Sequence, residues 1–148
     1  MFEKILGVVS VIAIIMKLGS IPGAGLLLII SWTLLSFFYY LFSFAFLNNI
    51  KLSNIFVPKS YQGLSALRII GSIGTGWVLS TICTGIFFKT MHYSGGMILL
   101  FVGVILIFVV AITSLIKFFL SKSDFYKTIL LRAAIFGGFG LLFFFTFN

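Results

Sequence analysis

Glu3 and Asp124 are the two acidic residues among the 148 residues of this chain, and their positions limit its chemistry. Glu3 precedes Lys4 near the N-terminus, and Asp124 lies in a polar stretch between Lys122 and Lys127, so we expect both at the cytoplasmic surface of a membrane. The long apolar runs between them contain no acidic residue. Proton-driven pumps, motors and cation transporters usually place an Asp or Glu at depth, where its burial is costly and tolerated for function. The sequence therefore disfavours a proton-driven mechanism.

Lysine is the second residue type that could do chemistry, because two lysines occur in a repeated motif. Lys17 stands six residues before Gly23, and Lys89 stands six residues before Gly95. The two copies of the motif are 72 residues apart. In each copy a cation ends one helix, a glycine-rich corner follows, and a second helix begins. N–H groups at a helix start attract anions, so Lys17, Lys89 and His92 are candidate contacts for an anion or a lipid headgroup. The alternative is that the lysines only extend to the membrane interface along their flexible stems.

Nucleophiles and metal ligands are too few to support catalysis. Cys83, the single cysteine, lies in an apolar run and has no partner for a disulfide. His92 is the single histidine and cannot form a metal site alone. The sequence contains no phosphate-binding Walker loop and no His-Glu-x-x-His motif. It therefore predicts neither enzymatic activity nor a bound cofactor or metal.

The composition indicates an integral membrane protein. Apolar residues make up 61% of the chain and charged residues 8%, and the mean hydropathy is +1.30. Soluble domains usually contain about a quarter charged residues. A crossing needs roughly 20 apolar residues, so the length has room for about five crossings with short loops. The net charge of +8 comes from cations spread between apolar runs, so it indicates topology and not nucleic-acid binding.

The apolar runs predict an all-α integral membrane protein made of one transmembrane helical domain, residues 1–148. The predicted helices lie at about 4–20, 23–47, 66–89, 96–119 and 128–147, and residues 48–65 form an interfacial loop. The first helix is the shortest, and whether it spans the membrane fully is left open. Pro22 is favourable in the first turn of the second helix, because its missing N–H group has no helical partner there.

A second internal match relates the third and fifth helices. Arg68 follows a leucine and precedes Gly74 by six residues, and Arg132 follows a leucine and precedes Gly138 by six residues. Together with the lysine corners, this match predicts parallel two-helix repeats about an axis along the membrane normal. The first and last repeats are predicted to be incomplete. Each arginine is expected to hold its helix start at the inner headgroups.

Small residues four positions apart mark faces on which membrane helices can pack closely. Such pairs are typical of these helices, because lipid supplies no hydrophobic drive for their association. The spacing fits packing between the third and fifth helices and fits association of two copies about equally well. The helix-packing candidates are Ser72, Gly76, Ala133, Ala134, Gly137 and Gly138.

The distribution of cations predicts the orientation of the chain. If the N-terminus, the 48–66 loop and the 117–132 region share one side, that side holds eight lysines and arginines, against Lys17 and Lys89 on the other. Cytoplasmic segments carry an excess of Lys and Arg. We therefore predict a cytoplasmic N-terminus, five crossings and a C-terminus outside.

The corners and their flanks, residues 11–28 and 82–100, resemble the Lys-x-x-His-x-Pro-Gly-Ala helical hairpin of the Bacteroidota gliding-motility and type IX secretion protein GldL. His92 alone matches the histidine of that motif, and Pro22-Gly23 alone matches the Pro-Gly pair. GldL resembles a motor stator in which an intramembrane glutamate pairs with the motif lysine. The runs 26–47 and 97–119 contain no acidic residue, so that role does not carry over. The third helix is also similar, more weakly, to DoxX-like proteins. The resemblance to GldL and its relatives implies a bacterial inner membrane.

These observations favour a non-enzymatic multipass protein of the bacterial inner membrane, acting as an assembly or accessory subunit of a larger membrane complex. Its expected neighbours are the lipid bilayer and a membrane-protein partner or a second copy, and not nucleic acid. The alternative is a pore or transporter for a small or lipidic solute that is not proton-driven. A pore would present hydroxyls to a common lumen, whereas a scaffold would leave them bonded to helix backbone or facing neighbours. The hydroxyl residues concerned are Ser31, Thr33, Ser80, Thr81 and Thr84.

Overall fold

A computed structural model describes residues 2–146, which form five α-helices. The second and third α-helices are connected by a segment with two short 3₁₀ helices, Leu52–Asn54 and Pro58–Tyr61. The protein is all-helical in the described residues, as the sequence predicts. The α-helices are α1 Phe2–Leu18, α2 Ala24–Phe46, α3 Ala66–Thr90, α4 Gly96–Ser121 and α5 Asp124–Thr146.

Four of these helices, α2 to α5, are long and apolar enough to cross a membrane. They have 23, 25, 26 and 23 residues, and a bilayer core requires roughly 20. The prediction of a multipass membrane protein is confirmed at this level. α1 is shorter, with 17 residues, and carries Glu3 in its first turn and Lys17 in its last.

α5 begins at Asp124, four residues before the predicted start. A carboxylate in the first turn is favourable because it faces the positive end of the helix dipole. The backbone N–H of Phe125 donates to the hydroxyl of Ser123 at 3.4 Å, which satisfies one N–H group at the helix start. Polar residues that resemble a linker therefore form the first turn of a helix. The predicted end of this helix, Phe147, lies outside the described residues.

Consecutive helices pack against one another in antiparallel pairs, and α3 lies at the centre, in contact with α2, α4 and α5. Its middle is fully buried at Leu79, Ile82 and Cys83. Glycine lets α4 approach closely, since a Cβ at Gly103 would lie 2.7 Å from Cγ1 of Ile82. Close backbone contact stabilises such helix pairs through van der Waals packing.

The packing candidates of α3, Ser72 and Gly76, face α2. A Cβ at Gly76 would overlap the side chain of Ser43 in α2. The hydroxyl of Ser72 accepts a hydrogen bond from the side-chain amide of Asn48 at 2.8 Å. Ser72 and Gly76 therefore pack against α2 and its end, and not against α5 as their spacing also allowed. Other residues of α3 contact α5.

The two small-residue pairs of α5 have different surroundings. Ala133 and Gly137 are buried, and a Cβ at Gly137 would lie 3.3 Å from Cγ2 of Ile107 in α4. Ala134 and Gly138 are exposed, and a Cβ at Gly138 would meet nothing within 4 Å. One pair therefore packs inside the bundle. The other lies on the surface, where association with a second copy stays a prediction.

The connection between α2 and α3 folds onto the end of α2. Pro58 begins the second 3₁₀ helix, where its fixed φ and missing N–H group are tolerated. The ring of Tyr61 stacks on Phe44 with centroids 6.3 Å apart, and its hydroxyl donates to the carbonyl oxygen of Ile55 at 2.6 Å. Phe56 is 95% exposed, as expected of a segment at a membrane interface, and this location stays a prediction.

Candidate functional site

The two lysine corners share an uncommon backbone conformation. Lys17 lies in the last turn of α1 and Lys89 in the last turn of α3. Three residues later the chain is left-handed in both corners, with φ 53° at Ser20 and 57° at His92. Their backbone N–H groups donate to the lysine carbonyl oxygens at 3.1 Å in both cases. Residues other than glycine seldom adopt this conformation, which here closes the end of each helix.

Glycine completes each corner. φ is 82° at Gly23 and 86° at Gly95, the residues that precede α2 and α4. A side chain would be strained at these angles. The carbonyl oxygens of these glycines accept equivalent hydrogen bonds, from the N–H of Leu27 at 3.1 Å and of Leu99 at 3.0 Å. The corners are therefore alike in backbone as well as in sequence, whereas a repeat of the whole two-helix unit stays a prediction.

The structure places the two corners side by side but gives their cations no acidic partner within residues 2–146. A Cβ at Gly25 beside the first corner would lie 4.0 Å from Cε of Met91 in the second. The ammonium of Lys89 lies 3.4 Å from a methionine sulfur, Lys17 is half-buried, and His92 is exposed. Their role as contacts for an anion or a lipid headgroup stays a prediction.

An ion pair at the opposite end of the bundle is the main polar site, and the sequence did not predict it. The carboxylate of Glu3 accepts two hydrogen bonds from the guanidinium of Arg132, from Nε at 3.0 Å and from Nη2 at 2.9 Å. The hydroxyl of Tyr39 donates to the same carboxylate at 2.6 Å. Bidentate pairs of this kind are stronger than neutral hydrogen bonds. The three side chains join α1, α2 and α5.

Protein groups surround the rest of the Arg132 guanidinium. Its central carbon lies 4.5 Å from the centroid of the Phe46 ring, and Nη1 donates to the carbonyl oxygen of Thr128 at 3.1 Å. The side chains of Arg132 and Glu3 are 17% and 14% exposed, so the pair is partly shielded from solvent. The guanidinium of Arg132 therefore has protein partners on several sides, and its expected contact with the inner headgroups stays a prediction.

Arg68, the matching arginine of α3, is also held by the protein, but by neutral groups. Its Nε donates to Oδ1 of Asn48 at 2.8 Å, and its guanidinium carbon lies 4.4 Å from the centroid of the Phe125 ring. Asn48 also donates to the carbonyl oxygen of Phe44 at 2.6 Å, which fixes its orientation. Both arginines thus stack on a phenylalanine of another helix, and only Arg132 has a carboxylate partner.

A groove of about 280 Å³ lies between α1, α2 and α5, beside the ion pair. Glu3 and Arg132 form its polar end, and its length is lined mainly by apolar and aromatic side chains. Trp32 stands in its wall and donates its indole N–H to the carbonyl oxygen of Ser10 at 3.1 Å. The groove therefore combines an apolar length with charge at one end, an arrangement that fits an amphiphilic molecule.

Several hydroxyls in α2 and α3, two of the candidate membrane spans, bond to helix backbone or to a neighbouring helix, whereas the buried hydroxyl of Ser43 has no hydrogen-bond partner within residues 2–146. Ser36 of α2 lies 2.8 Å from the hydroxyl of Ser80 and 2.9 Å from that of Thr84, both in α3. Thr81 donates to the carbonyl oxygen four residues earlier at 2.9 Å, and Ser31 to the one three residues earlier at 3.4 Å. Four of the five hydroxyl residues that could line a pore thus bond to helix backbone or to a neighbouring helix.

Comparisons with protein families, with curated proteins and with solved structures give no match for this chain.

The ion pair could not be found from local patterns because its partners are far apart in the chain. Glu3 and Arg132 are separated by 129 positions, and each lies near a helix start that the sequence places at a membrane surface. One signal could have indicated the pair. The chain has two acidic residues against ten lysines and arginines, so an arginine inside a helix has few possible carboxylate partners.

Proposed function

We propose that this chain is a non-enzymatic subunit of a larger complex in a bacterial inner membrane, with an assembly or accessory role. The observation that carries the proposal is the α2–α3 contact, in which Ser36 bonds to Ser80 and Thr84. Hydroxyls that are bonded between helices are not available to a passing solute. Because these polar groups are satisfied internally, the outer surface can be apolar and can contact lipid or protein.

α4 supplies the apolar surface that we assign to a partner. Among the four candidate spans, α4 is the least covered by the rest of the protein, with 22% of its most apolar part buried. Beside it, a second groove of about 350 Å³ separates part of α4 from α5 and has Ala134 and Gly138 in its lining. Small residues in such a groove allow another helix to approach closely. The large exposed side chains of α4 include Phe101, Phe108, Ile112, Ile116 and Phe119.

Site-specific photo-crosslinking in intact membranes tests this proposal. A photoreactive amino acid replaces Phe108, which is exposed and lines the α4–α5 groove. We expect a discrete protein adduct after irradiation, identified by mass spectrometry as one membrane protein or as a second copy of the chain. The control is the same amino acid at Leu26, which is exposed on α2 and should form lipid adducts only. Lipid adducts alone at both positions would contradict a partner on α4.

A pore or transporter for a small or lipidic solute is the competing function. It has less support, because four of the five hydroxyls that would line a lumen are bonded to helix backbone or to a neighbouring helix. It makes an opposite prediction, namely solute flux across liposomes that contain the purified chain alone. Flux together with an absence of protein adducts at Phe108 would replace the proposed function with this one.

We also propose that α1 is a fifth crossing and that the N-terminus is cytoplasmic. α1 packs along α2, and Trp32 bonds to Ser10 in the middle of α1, which supports a position within the bilayer. Lys17 and Lys89 lie at the end of the bundle opposite to the start of α1, and eight lysines and arginines belong to the other end. Membrane-impermeant labelling of terminal tags should therefore find the two termini on opposite sides. Labelling of both on one side would mean that α1 does not cross.

A further inference from the structure

The groove between α1, α2 and α5 is open along α1. α1 and α5 are joined at its end by the ion pair of Glu3 and Arg132. One helical turn later, a Cβ at Gly7 would meet nothing within 4 Å, although Gly7 lines the groove. Leu35 and Phe136 contribute to the apolar walls. The volume of about 280 Å³ is near the lower limit of about 300 Å³ for sites that enclose a small ligand.

One positive charge at the polar end of the groove is not neutralised. Glu3 and Arg132 neutralise each other through their ion pair. Lys4 also lines the groove, is exposed, and has no ion-pair partner in the described part of the chain. A lysine near a membrane surface attracts anionic lipid headgroups. The charge of the groove is therefore complementary to an anionic molecule and not to a cationic one.

We propose that the groove binds an anionic phospholipid. One acyl chain lies between α1 and α5, and the headgroup phosphate contacts the ammonium of Lys4. The Glu3 carboxylate is bonded to Arg132 and Tyr39, so its charge is compensated close to the phosphate. Both parts of the lipid are needed for this fit, because a free phosphate has no acyl chain for the apolar walls and a zwitterionic lipid has no net charge for Lys4.

The two tryptophans of the chain provide a measurement of occupancy. Trp32 lines the groove, whereas Trp77 is 52% exposed on α3 and faces the surroundings of the bundle. A Trp77→Phe variant therefore leaves Trp32 as the fluorescent residue of the groove. Bromine atoms on an acyl chain quench tryptophan fluorescence on contact. Quenching of Trp32 thus reports a lipid chain in the groove and not at the outer surface.

The experiment places Trp77→Phe in phosphatidylcholine bilayers with increasing fractions of dibrominated phosphatidylglycerol or dibrominated phosphatidylcholine. We expect dibrominated phosphatidylglycerol to reach half-maximal quenching of Trp32 at about one fifth of the fraction that dibrominated phosphatidylcholine requires. One contact between a lysine and an anionic headgroup gives a preference of about this size. Adding Lys4→Gln should remove this preference. Lys127→Gln is the matched control, because Lys127 is an exposed lysine at the same end of the bundle, and it should keep the preference.

Two further measurements distinguish a bound lipid from other ligands. Gly7→Leu fills the groove and should reduce quenching by both lipids, whereas Gly74→Leu, at an exposed site with nothing within 4 Å of a Cβ, should not. Inorganic phosphate should not relieve the quenching, and relief would indicate a free-anion site instead. Equal half-maximal fractions for the two lipids, or equal effects of Lys4→Gln and Lys127→Gln, would overturn the proposal. The purified chain suffices, so the outcome is independent of the proposed protein partner.

Discussion

Arg132→Leu is expected to lower the free energy of unfolding by about 3 kcal/mol, because it removes one partner of a shielded ion pair. The carboxylate of Glu3, with a side chain that is 14% exposed, would keep only the hydroxyl of Tyr39 as a partner. A carboxylate left unpaired in such surroundings has lost both its hydration and its counter-charge. The measurement is equilibrium unfolding of the purified protein in detergent micelles, followed by tryptophan fluorescence.

Arg68→Leu is the matched control for this prediction. Arg68 has the same place in the Leu-Arg motif and also stacks on a phenylalanine, but its hydrogen-bond partner Asn48 is neutral. We expect its replacement to cost about 1.5 kcal/mol, as for the loss of a hydrogen bond to a charged group. Adding Glu3→Gln to Arg132→Leu should recover part of the larger loss, because no lone carboxylate then remains. Equal losses at the two arginines would show that the ion pair adds nothing to the stacking.

The helices and corners can be predicted from the sequence because their causes are local. An apolar run that is long enough to span a bilayer predicts a helix wherever it lies in the fold. The observed ends of α2 and α3 lie within one residue of their predicted positions. Gly23 and Gly95 mark the corners because few other residues tolerate their φ angles of 82° and 86°. Each of these features depends on neighbouring residues and needs no knowledge of the tertiary contacts.

The partners of individual side chains cannot be predicted in this way. The pairs Ala133–Gly137 and Ala134–Gly138 have the same spacing, yet only the first lies against α4. The two faces differ by one position along the helix, and the tertiary arrangement alone decides which of them is covered. The same holds for Arg132, since its carboxylate partner is fixed by how α1 and α5 are placed around α2. The groove and its charged end are therefore properties of the bundle.

Gly76→Ala is expected to destabilise the protein by about 3 kcal/mol, at the upper end of the range for overpacking. A Cβ at this position would overlap the side chain of Ser43 and lie 2.5 Å from the carbonyl oxygen of Tyr39. A flexible side chain could move away, but a backbone carbonyl moves only if α2 shifts as a whole. The added methyl group should therefore separate α2 from α3, and unfolding of the purified protein measures the loss.

Gly74→Ala is the control, because it adds the same methyl group to the same helix where nothing lies within 4 Å. It should be neutral or stabilising by up to about 1 kcal/mol, since alanine has the higher helix propensity. Tyr39 also links Gly76 to the ion pair. Its carbonyl oxygen faces Gly76 and its hydroxyl bonds to Glu3, so a shift of α2 should also weaken the ion pair. Combined with Arg132→Leu, Gly76→Ala should then cost an amount that differs from the sum of the separate losses, whereas strict additivity would mean that α2 does not position Tyr39 for the site.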